Sequence, residues 1–438
     1  MKRSIANSIP LGTLDVIGYD ARIKDYVLDK ISSVYERFGF EPLYTPIIEN
    51  EEVFNGHHGE GETLLFKLND KKGEQLVLKY DSTVPLARVV SMYPERIKRP
   101  YKRYQLQESF RDDEVDKGHF REFVQCDGDI VGAETLLADA EIVMIAYEGL
   151  AEIGFNNFTI RLNHRKIMHA IAEKAGVYTQ EGFLQIQRAI DYADKVIKDG
   201  VEGIKKDLRR RKVENTVIDI ICELVEMTTD NVDETLNSIQ SYFEGFESAT
   251  EGINDLREIL AYVPEEVKKT IKIDFTLARG ADYYTGFILE AVINGIKLGA
   301  VLGGGRFDNL VEAFSDEKVP AVGMAFGLER IITAMKELKL NEELHIAPNK
   351  ILLVDNVTMQ NEIVKCAAML REKFDVSILY GIQDYAVAYE YAQHCHFKLI
   401  VKVTANKKVQ ITQLPVKYSA EYYEEVLKSV VERGYTVV

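Results

Sequence analysis

Four side chains that can bind or stabilise charge lie in the part of the sequence whose pattern is most typical of β-strands. They are Arg279, Asp282, Tyr283 and Tyr284. Apolar runs flank their segment, FTLARGADYYTGF (residues 275–287), and an Asn-Gly pair at 294–295 predicts a hairpin between the two runs that follow. A guanidinium, a carboxylate and two phenols form hydrogen bonds, whereas residues of a sheet should mostly pack. The segment is therefore a candidate site.

A second candidate lies in LKYDSTVPLARV, where Asp81 and Thr83 are separated by one residue. If this stretch is a β-strand, both side chains point to the same face of the sheet. A carboxylate beside a hydroxyl could bind an ammonium group. A solvated strand end is the alternative that the pattern leaves open.

Polar residues alternate along a third stretch, FVQCDGDIVG. Arg111 ends the preceding predicted strand, and a regular strand would place Gln125, Asp127 and Asp129 on one face. Three polar residues on one face of a packed sheet indicate a lined pocket, although a face open to water would show the same pattern.

Glycines and one arginine mark the following region. GGGRFDNL (residues 303–310) begins with three glycines, which allow a ligand or another backbone to come close, or mark a tight turn. Their spacing is neither that of a dinucleotide-binding fingerprint nor that of a Walker loop. Arg330 lies in the first turns of an apolar helix predicted near 324–338, where a guanidinium needs an anion or a path to solvent.

Composition bounds the class of protein. The chain has 438 residues, which favours two or three domains, and a net charge of −16, which argues against binding nucleic acid through a global positive field. The four cysteines are scattered, HCH at 394–396 has no second cluster to complete a metal site, and no apolar run is long enough for a membrane span. We expect a cytoplasmic protein without a metal site.

The hydrophobic pattern divides the chain into three parts. Residues 1–164 and 266–345 mix strands with helices and form a core. Residues 165–265 carry only helical spacing, so we interpret them as a helical insertion into this core. Residues 350–438 alternate strand and helix, which predicts a small α/β domain with a parallel sheet.

Five segments resemble the motifs of one family. GFEPLYTPIIE (39–49), FRDDEVDKGHFREFVQCDGDI (110–130) and GLERI (327–331) are similar to motifs 1, 2 and 3 of class II aminoacyl-tRNA synthetases. ARGADYYTGF (278–287) and GGGRFDNLVEAF (303–314) resemble two signatures of the histidyl-tRNA synthetase family. The resemblance implies an α+β fold, with a class II antiparallel-sheet catalytic core, a helical insertion and a C-terminal α/β domain like an anticodon-binding domain.

This resemblance implies an ATP-dependent enzyme. Histidine and ATP would form histidyl-adenylate and pyrophosphate, and the histidyl group would then pass to tRNA(His). Mg²⁺ would accompany ATP, and motif 1 would build a homodimer. The resemblance also implies catalytic roles for Arg279, which would face the α-phosphate, and for Arg111, which would hold the carboxylate and the α-phosphate.

The remaining site residues follow from the same resemblance. The residues implied to bind histidine are Asp81, Ser82, Thr83, Arg111, Gln125, Asp129, Arg279, Tyr283 and Tyr284. Those implied to bind ATP are Arg111, Arg330, Gly304 and Gly305. Within the first set, Asp81, Thr83 and Gln125 would contact the α-amino group. The imidazole would contact Asp129 and Tyr284.

Two departures from the family pattern keep other functions open. Glu114 and His119 stand where the family has arginine, so residues 111–121 carry three Lys and Arg against four Asp and Glu. Residues 350–438 are nearly neutral, with 11 Lys and Arg against 10 Asp and Glu. One alternative is a histidine-binding regulatory paralogue similar to the regulatory subunit of ATP phosphoribosyltransferase. Another is an adenylating enzyme whose acceptor is not tRNA.

Overall fold

The computed structural model describes residues 8–54, 63–279, 283–315, 317–344, 350–354, 358–382, 384–404, 406–415 and 420–438. Asp282, one of the candidate residues, lies outside these ranges. The chain divides into two compact units. Met1–Leu14 with Val27–Leu338 form the first, and Asp15–Tyr26 with Lys339–Val438 form the second. The segment predicted as a helical insertion belongs to the first unit.

An antiparallel sheet organises the first unit. Its strands are β1 (Glu41–Pro42), β2 (Ile48–Asn50), β3 (Lys67–Asn69), β4 (Gln75–Leu78), β5 (Tyr101–Phe110), β6 (Glu122–Val131), β7 (Phe158–His164), β8 (Ile271–Ile273), β9 (Phe287–Ile293), β10 (Leu302–Arg306) and β11 (Ala321–Gly327). Eight of them form a sheet of order β1-β5-β6-β11-β10-β9-β7-β8, and the other three form a small sheet of order β2-β4-β3. In the large sheet only β1–β5 and β7–β8 are parallel. The antiparallel-sheet core is thus confirmed.

Helices surround this sheet and fill the insertion. Those that begin before residue 339 are α1 (Tyr19–Arg37), α2 (Thr83–Met92), α3 (Leu137–Ile153), α4 (Arg165–Lys174), α5 (Gln180–Val196), α6 (Gly200–Arg210), α7 (Asn215–Met227), α8 (Val232–Tyr242), α9 (Glu247–Tyr262), α10 (Glu265–Lys268) and α11 (Leu328–Glu337). Helices α4 to α10 follow one another without an intervening strand over 165–268, where every residue is described. The helical insertion is therefore confirmed.

Strand register places small and charged residues in rows on one face of the large sheet. One row, from β7 to β6, is Arg161, Glu290, Gly303, Ala325 and Asp127. A neighbouring row, from β9 to β5, is Ile288, Gly305, Gly323, Asp129 and Arg103. Both rows share a face because residues two apart on a strand point the same way. The central strands β10 and β11 contribute only glycine and alanine, which leaves room above the middle of this face.

A buried ion pair holds the end of the glycine-rich strand β10. The Nε of Arg306 donates to Oδ1 of Asp139 at 2.9 Å, and both side chains are almost fully buried. Because Asp139 lies on α3, the pair ties β10 to the helix behind the sheet. The strand thus keeps its position although its glycines offer little packing.

The prediction that Asp81 and Thr83 share a strand is wrong. Strand β4 ends at Leu78, and Thr83 is the first residue of α2. A carboxylate oxygen of Asp81 accepts a hydrogen bond from the N–H of Val84 at 3.1 Å. That contact satisfies a free N–H at the start of a helix, so the aspartate favours helix initiation over strand continuation.

Arg279, Tyr283 and Tyr284 also lie outside the strands that the structure describes. Strand β8 ends at Ile273, and β9 begins at Phe287. Just after β8, a carboxylate oxygen of Asp274 accepts a hydrogen bond from the N–H of Thr276 at 3.0 Å. An aspartate that bonds the backbone two residues on forms an Asx turn, which ends the strand.

The hairpin predicted around residues 294–295 is present, with a longer loop. Strands β9 and β10 pair antiparallel, and Gly295 has a φ of +85°. Asn294 is not among the described residues with positive φ. Its side-chain nitrogen donates to Oδ1 of Asn157 at 2.9 Å, so a hydrogen bond to the residue before β7 fixes the asparagine side chain. The helix predicted near 324–338 begins only at Leu328, because β11 occupies the residues before it.

The second unit contains a five-stranded sheet. Its elements are α12 (Leu340–Glu343), β12 (Lys350–Val354), α13 (Gln360–Leu370), β13 (Asp375–Leu379), α14 (Tyr385–His394), β14 (Leu399–Thr404), β15 (Lys408–Gln413), α15 (Ala420–Glu432) and β16 (Thr436–Val437). The strand order is β13-β12-β14-β15-β16. Strand β12 is parallel to β13 and β14, whereas β14 and β15 are antiparallel. The α/β character is confirmed, but the sheet is mixed and not wholly parallel.

Candidate active site

A cavity of about 930 Å³ lies over the glycine-rich middle of the large sheet. Eight predicted site residues line it: Asp81, Thr83, Arg111, Gln125, Asp129, Arg279, Tyr283 and Tyr284. Gly303, Gly323 and Ala325 also line it and form its floor. The fold therefore brings together side chains from the start of α2, from β6 and from the loop before β9.

Asp129 and Arg103 form a buried acid–base pair at one wall of the cavity. Oδ2 of Asp129 lies 2.6 Å from NH2 of Arg103, and both side chains are almost fully buried. Arg103 also donates to the carbonyl oxygen of Ser82 at 3.0 Å and to Oε1 of Gln105 at 3.2 Å. Burial raises the pKa of Asp129 to about 6 and that of Asp127 to about 7. A bound cation or ring N–H would favour the charged forms, so ligand binding and ionisation are coupled here.

Two adjacent tyrosines form another wall. The ring centroids of Tyr283 and Tyr284 are 4.8 Å apart, and the ring of Phe307 meets Tyr283 edge-on at 5.8 Å. Burial raises the pKa of Tyr283 well above its usual value, so its phenol keeps a proton that it can donate. The guanidinium carbon of Arg279 lies 5.6 Å from the Tyr284 ring centroid, within range of a cation–π contact.

Glycines on the floor make space for two of the charged side chains. NH1 of Arg279 lies 3.0 Å from Oε1 of Glu290 and passes over Gly303, where an added Cβ would stand 1.6 Å from NH1. An added Cβ on Gly323 would stand 1.9 Å from Oδ1 of Asp129. Real side chains do not approach so closely, so an added methyl group at either position would displace the neighbouring Arg279 or Asp129 side chain.

Arg111 lies between two aromatic rings at the cavity wall. Its guanidinium carbon is 4.3 Å from the ring centroid of Tyr80 and 5.1 Å from that of Phe123. Its Nε donates to the carbonyl oxygen of Tyr80 at 3.4 Å. Aromatic faces attract a cation without neutralising it. The guanidinium is therefore oriented and still charged for a carboxylate or phosphate.

Three of the predicted residues are not among the described residues that line the cavity. Ser82 is fully buried at the N-terminal end of α2. Gly304 has the opposite strand parity from Gly303, so it faces the other side of the sheet. An added Cβ on Gly305 would meet the ring of Tyr284 at 2.9 Å, so this glycine makes room for the tyrosine. The predicted roles of these residues in binding remain predictions.

Arg330 lies in the first turn of α11, as expected, and is likewise outside the described lining. Its NH1 donates to the carbonyl oxygen of Ala300 at 2.9 Å. Gly299 provides the space, because an added Cβ there would stand 2.9 Å from NH1. One backbone oxygen leaves most of the five guanidinium N–H groups available for an anion.

Carboxylates engage the positive charges of the loop between β5 and β6. Arg121 forms an ion pair with Asp112, and Lys117 forms one with Glu337 on α11. The carbonyl oxygen of Glu114 lies 3.0 Å from Nδ1 of the His119 ring. Two of the three Lys and Arg side chains in 111–121 are thus paired with carboxylates in this conformation, one from the loop and one from α11.

Helix α5 supplies a wall that sequence reasoning missed. Its lining residues are Leu184, Gln187, Arg188, Asp191, Tyr192 and Lys195. They recur at spacings of three and four and so occupy one face of the helix. This mostly polar stripe is the feature of the sequence that could have indicated that α5 lines a cavity. A solvated helix face has the same pattern, so the sequence alone did not point to the cavity.

Neither a metal centre nor a membrane-spanning helix occurs among the residues that the structure describes. Within them, no three His, Cys, Asp or Glu side chains are grouped so as to hold a metal ion. None of the described helices is long and apolar enough to cross a bilayer. Each of the four cysteines is a free thiol.

Comparison with known proteins points to one family. A family model described as histidyl-tRNA synthetase matches residues 12–331. A histidine–tRNA ligase of Clostridium tetani is 35% identical over 402 residues, which cover 90% of this chain and 89% of the relative. A histidine–tRNA ligase of Aeropyrum pernix is 38% identical over 323 residues, covering 72% and 71%. The crystal structure of histidyl-tRNA synthetase from Nostoc sp. PCC 7120 is 26% identical, with a TM-score of 0.80 over 97% of this chain and all of that one.

These matches agree with the geometry of the cavity. The family model spans the large sheet, the helical insertion and the start of α11. Segments that resemble the family's motifs supply most of the cavity residues that the sequence predicted. The chain belongs to the histidyl-tRNA synthetase family.

Proposed function

We propose that this chain activates L-histidine with ATP and transfers the histidyl group to tRNA(His). One observation carries the proposal: Arg279, Asp129 and Tyr284 face a single cavity. An acid–phenol pair suits an imidazole ring, and a guanidinium suits a phosphate. The reaction would place the protein in the cytoplasm, where tRNA is charged.

Histidine would lie over the sheet, and different residues would bind its imidazole ring and its α-ammonium group. Asp129 would accept a ring N–H, and Tyr284 would contact the other ring nitrogen. Asp81, Thr83 and Gln125 would take the α-ammonium group. Oε1 of Gln125 supports this arrangement, because it is buried and has no hydrogen-bond partner among the described residues. An ammonium N–H would satisfy it.

Arg111 and Arg279 would act at the reacting atoms. A carboxylate oxygen of histidine attacks the α-phosphorus of ATP, and the bond to pyrophosphate breaks with its electron pair on the leaving oxygen. Arg111 would hold the carboxylate beside the α-phosphate, and Arg279 would stabilise charge as it develops there. Tyr283 would support the imidazole site.

The nucleotide would contact the side chain of Arg330 in addition to Arg111, and it would reach Gly304 and Gly305 only through their main chain. We propose that Mg²⁺ accompanies ATP and supplies charge neutralisation on the phosphates. The protein's own contribution to charge stabilisation would come from the arginines.

The tRNA end would enter beside the loop between β5 and β6. Lys117 and Arg121 would contact phosphates only after leaving Glu337 and Asp112. Exposed ion pairs contribute about 0–1 kcal/mol each, so a polyanion could displace these carboxylates at modest cost. The paired loop is thus compatible with an RNA acceptor.

We also propose a homodimer. Apolar side chains are exposed in the segment that resembles motif 1, with Tyr44, just after β1, at 75% exposure and Ile48, the first residue of β2, at 52%. A second copy would cover them, as the motif 1 resemblance implies. Sedimentation velocity at micromolar concentration should show a species of twice the chain mass, and a monomer at all concentrations would contradict the proposal.

The activity is tested in two steps with the full chain. We expect histidine-dependent exchange of labelled pyrophosphate into ATP, followed by histidyl transfer to tRNA(His). Exchange without transfer would favour an acceptor other than tRNA. Histidine binding without exchange would favour a regulatory paralogue. Asp129→Asn should weaken histidine binding, which ties the activity to this cavity.

A further inference from the structure

Helix α5 holds the main chain of Arg279. Nε2 of Gln187 donates to the carbonyl oxygen of Arg279 at 2.7 Å. The glutamine is buried, with 6% of its surface exposed, so the contact is shielded from bulk water. Removing one partner of a buried hydrogen bond leaves the other unsatisfied, which costs more than the bond itself contributes.

The same helix reaches the guanidinium of Arg279 by a second route. Asp194 forms an ion pair with Arg161, and NH1 of Arg161 lies 3.9 Å from Oε2 of Glu290. The other oxygen of Glu290 lies 3.0 Å from NH1 of Arg279. Arg161 and Glu290 are directly opposed on β7 and β9, so sheet register fixes their spacing.

A further carboxylate anchors this relay to the sheet. Asp274 accepts from Nε of Arg161 at 2.8 Å, and the hydroxyl of Thr276 lies 3.2 Å from Oδ1 of Asp194. The side chains of Arg161 and Asp274 are 12% and 11% exposed. Charged hydrogen bonds at such burial are stronger and less screened than surface pairs.

The two routes leave α5 seven residues apart. Gln187 and Asp194 are separated by about 10 Å along the helix, at 1.5 Å per residue, and lie on nearly the same side of it. One rigid element therefore holds both the backbone and the charged end of Arg279. A shift of α5 would move the guanidinium relative to Gly303 and the cavity floor.

We propose that α5 of the helical insertion positions Arg279 for adenylate formation, through Gln187 on the main chain and through Asp194, Arg161 and Glu290 on the side chain. Gln187 and Asp194 are positioning residues in this proposal. It rests on the proposed role of Arg279. The helical insertion then takes part in the first chemical step as well as in the shape of the cavity.

The test is a double-mutant cycle in the full chain, read out by pyrophosphate exchange. Gln187→Met removes the donor at similar volume and should lower kcat about 5–30-fold, with the KM for histidine changed less than about twofold. In an Arg279→Ala background the same substitution should lower kcat less than about twofold, because the positioned group is gone. Asp194→Asn should show the same dependence on background.

Gln185→Met is the matched control, since Gln185 lies exposed on the same helix. It should behave as the native chain. Equal losses from Gln187→Met in both backgrounds would mean a structural role and overturn the inference. So would a native kcat in Gln187→Met while Arg279→Ala is slow. If Arg279→Ala itself exchanges at the native rate, the role proposed for Arg279 fails instead.

Discussion

Replacing Arg279 with alanine is expected to slow histidine-dependent pyrophosphate exchange by about 10²–10³-fold. In the proposed reaction its guanidinium would face the place where charge develops on the α-phosphate, and loss of one such preorganised donor costs about 3–4 kcal/mol of barrier. The effect should fall on kcat, because in the proposed complex the imidazole would contact Asp129 and Tyr284 instead. Exchange kinetics and calorimetric titration with histidine measure the two quantities separately.

The control for this prediction is Arg210→Ala. Arg210 lies on α6 with 72% of its side chain exposed, so exchange should stay at the native rate. An Arg279→Ala variant with native exchange would contradict the assigned role. A loss of histidine affinity as large as the loss of kcat would also contradict it, since the arginine would then be a ground-state contact.

Replacing Arg103 with leucine is expected to lower the free energy of unfolding by about 3–5 kcal/mol at pH 8. The substitution leaves the buried charge of Asp129 without its partner, and breaking a buried pair from one side typically costs this much. Urea unfolding measures the change. Arg99→Leu is the matched control, because Arg99 pairs with the exposed Glu317 and should cost about 1 kcal/mol or less.

The cost of Arg103→Leu should also depend on pH. Burial raises the folded pKa of Asp129 to about 6 and of Asp127 to about 7, above the unfolded value near 4. Protonation of these two carboxyl groups stabilises the folded state at low pH. This stabilisation is lost as the pH rises through their folded pKa values. Without Arg103 the ionised carboxylates are less compensated, so the cost should be smaller at pH 5 than at pH 8. A cost independent of pH, or one equally large in an Asp129→Asn background, would contradict this account.

Local patterns predicted the parts of the site that depend on local geometry. Gln125 and Asp129 face the cavity together because alternation along a strand does not depend on the rest of the fold. The strand predicted for Asp81 and Thr83 was wrong, although it also rested on a local pattern. The Asp81 side chain accepts a hydrogen bond from the N–H of Val84 and so favours the start of a helix at Thr83. A pattern of residue types does not distinguish a capping aspartate from one on a strand.

Long-range contacts escaped sequence reasoning. Gln187 and Arg279 are 92 residues apart, and their hydrogen bond depends on how the helical insertion packs on the sheet. The sequence also did not indicate a role for Arg161, because its ion-pair partners lie in three other segments of the chain. The family resemblance predicted the residues that would bind substrate, whereas the residues that hold them in place come together only in the folded chain.

The floor of the cavity has a practical consequence. One methyl group at position 303 would occupy the place of the Arg279 guanidinium, and one at 323 would occupy that of the Asp129 carboxylate. An alanine at position 303 or 323 should therefore abolish the activity, although every charged residue of the site is still present in the sequence. Sequence surveys that check only for the reactive residues would score such a chain as intact.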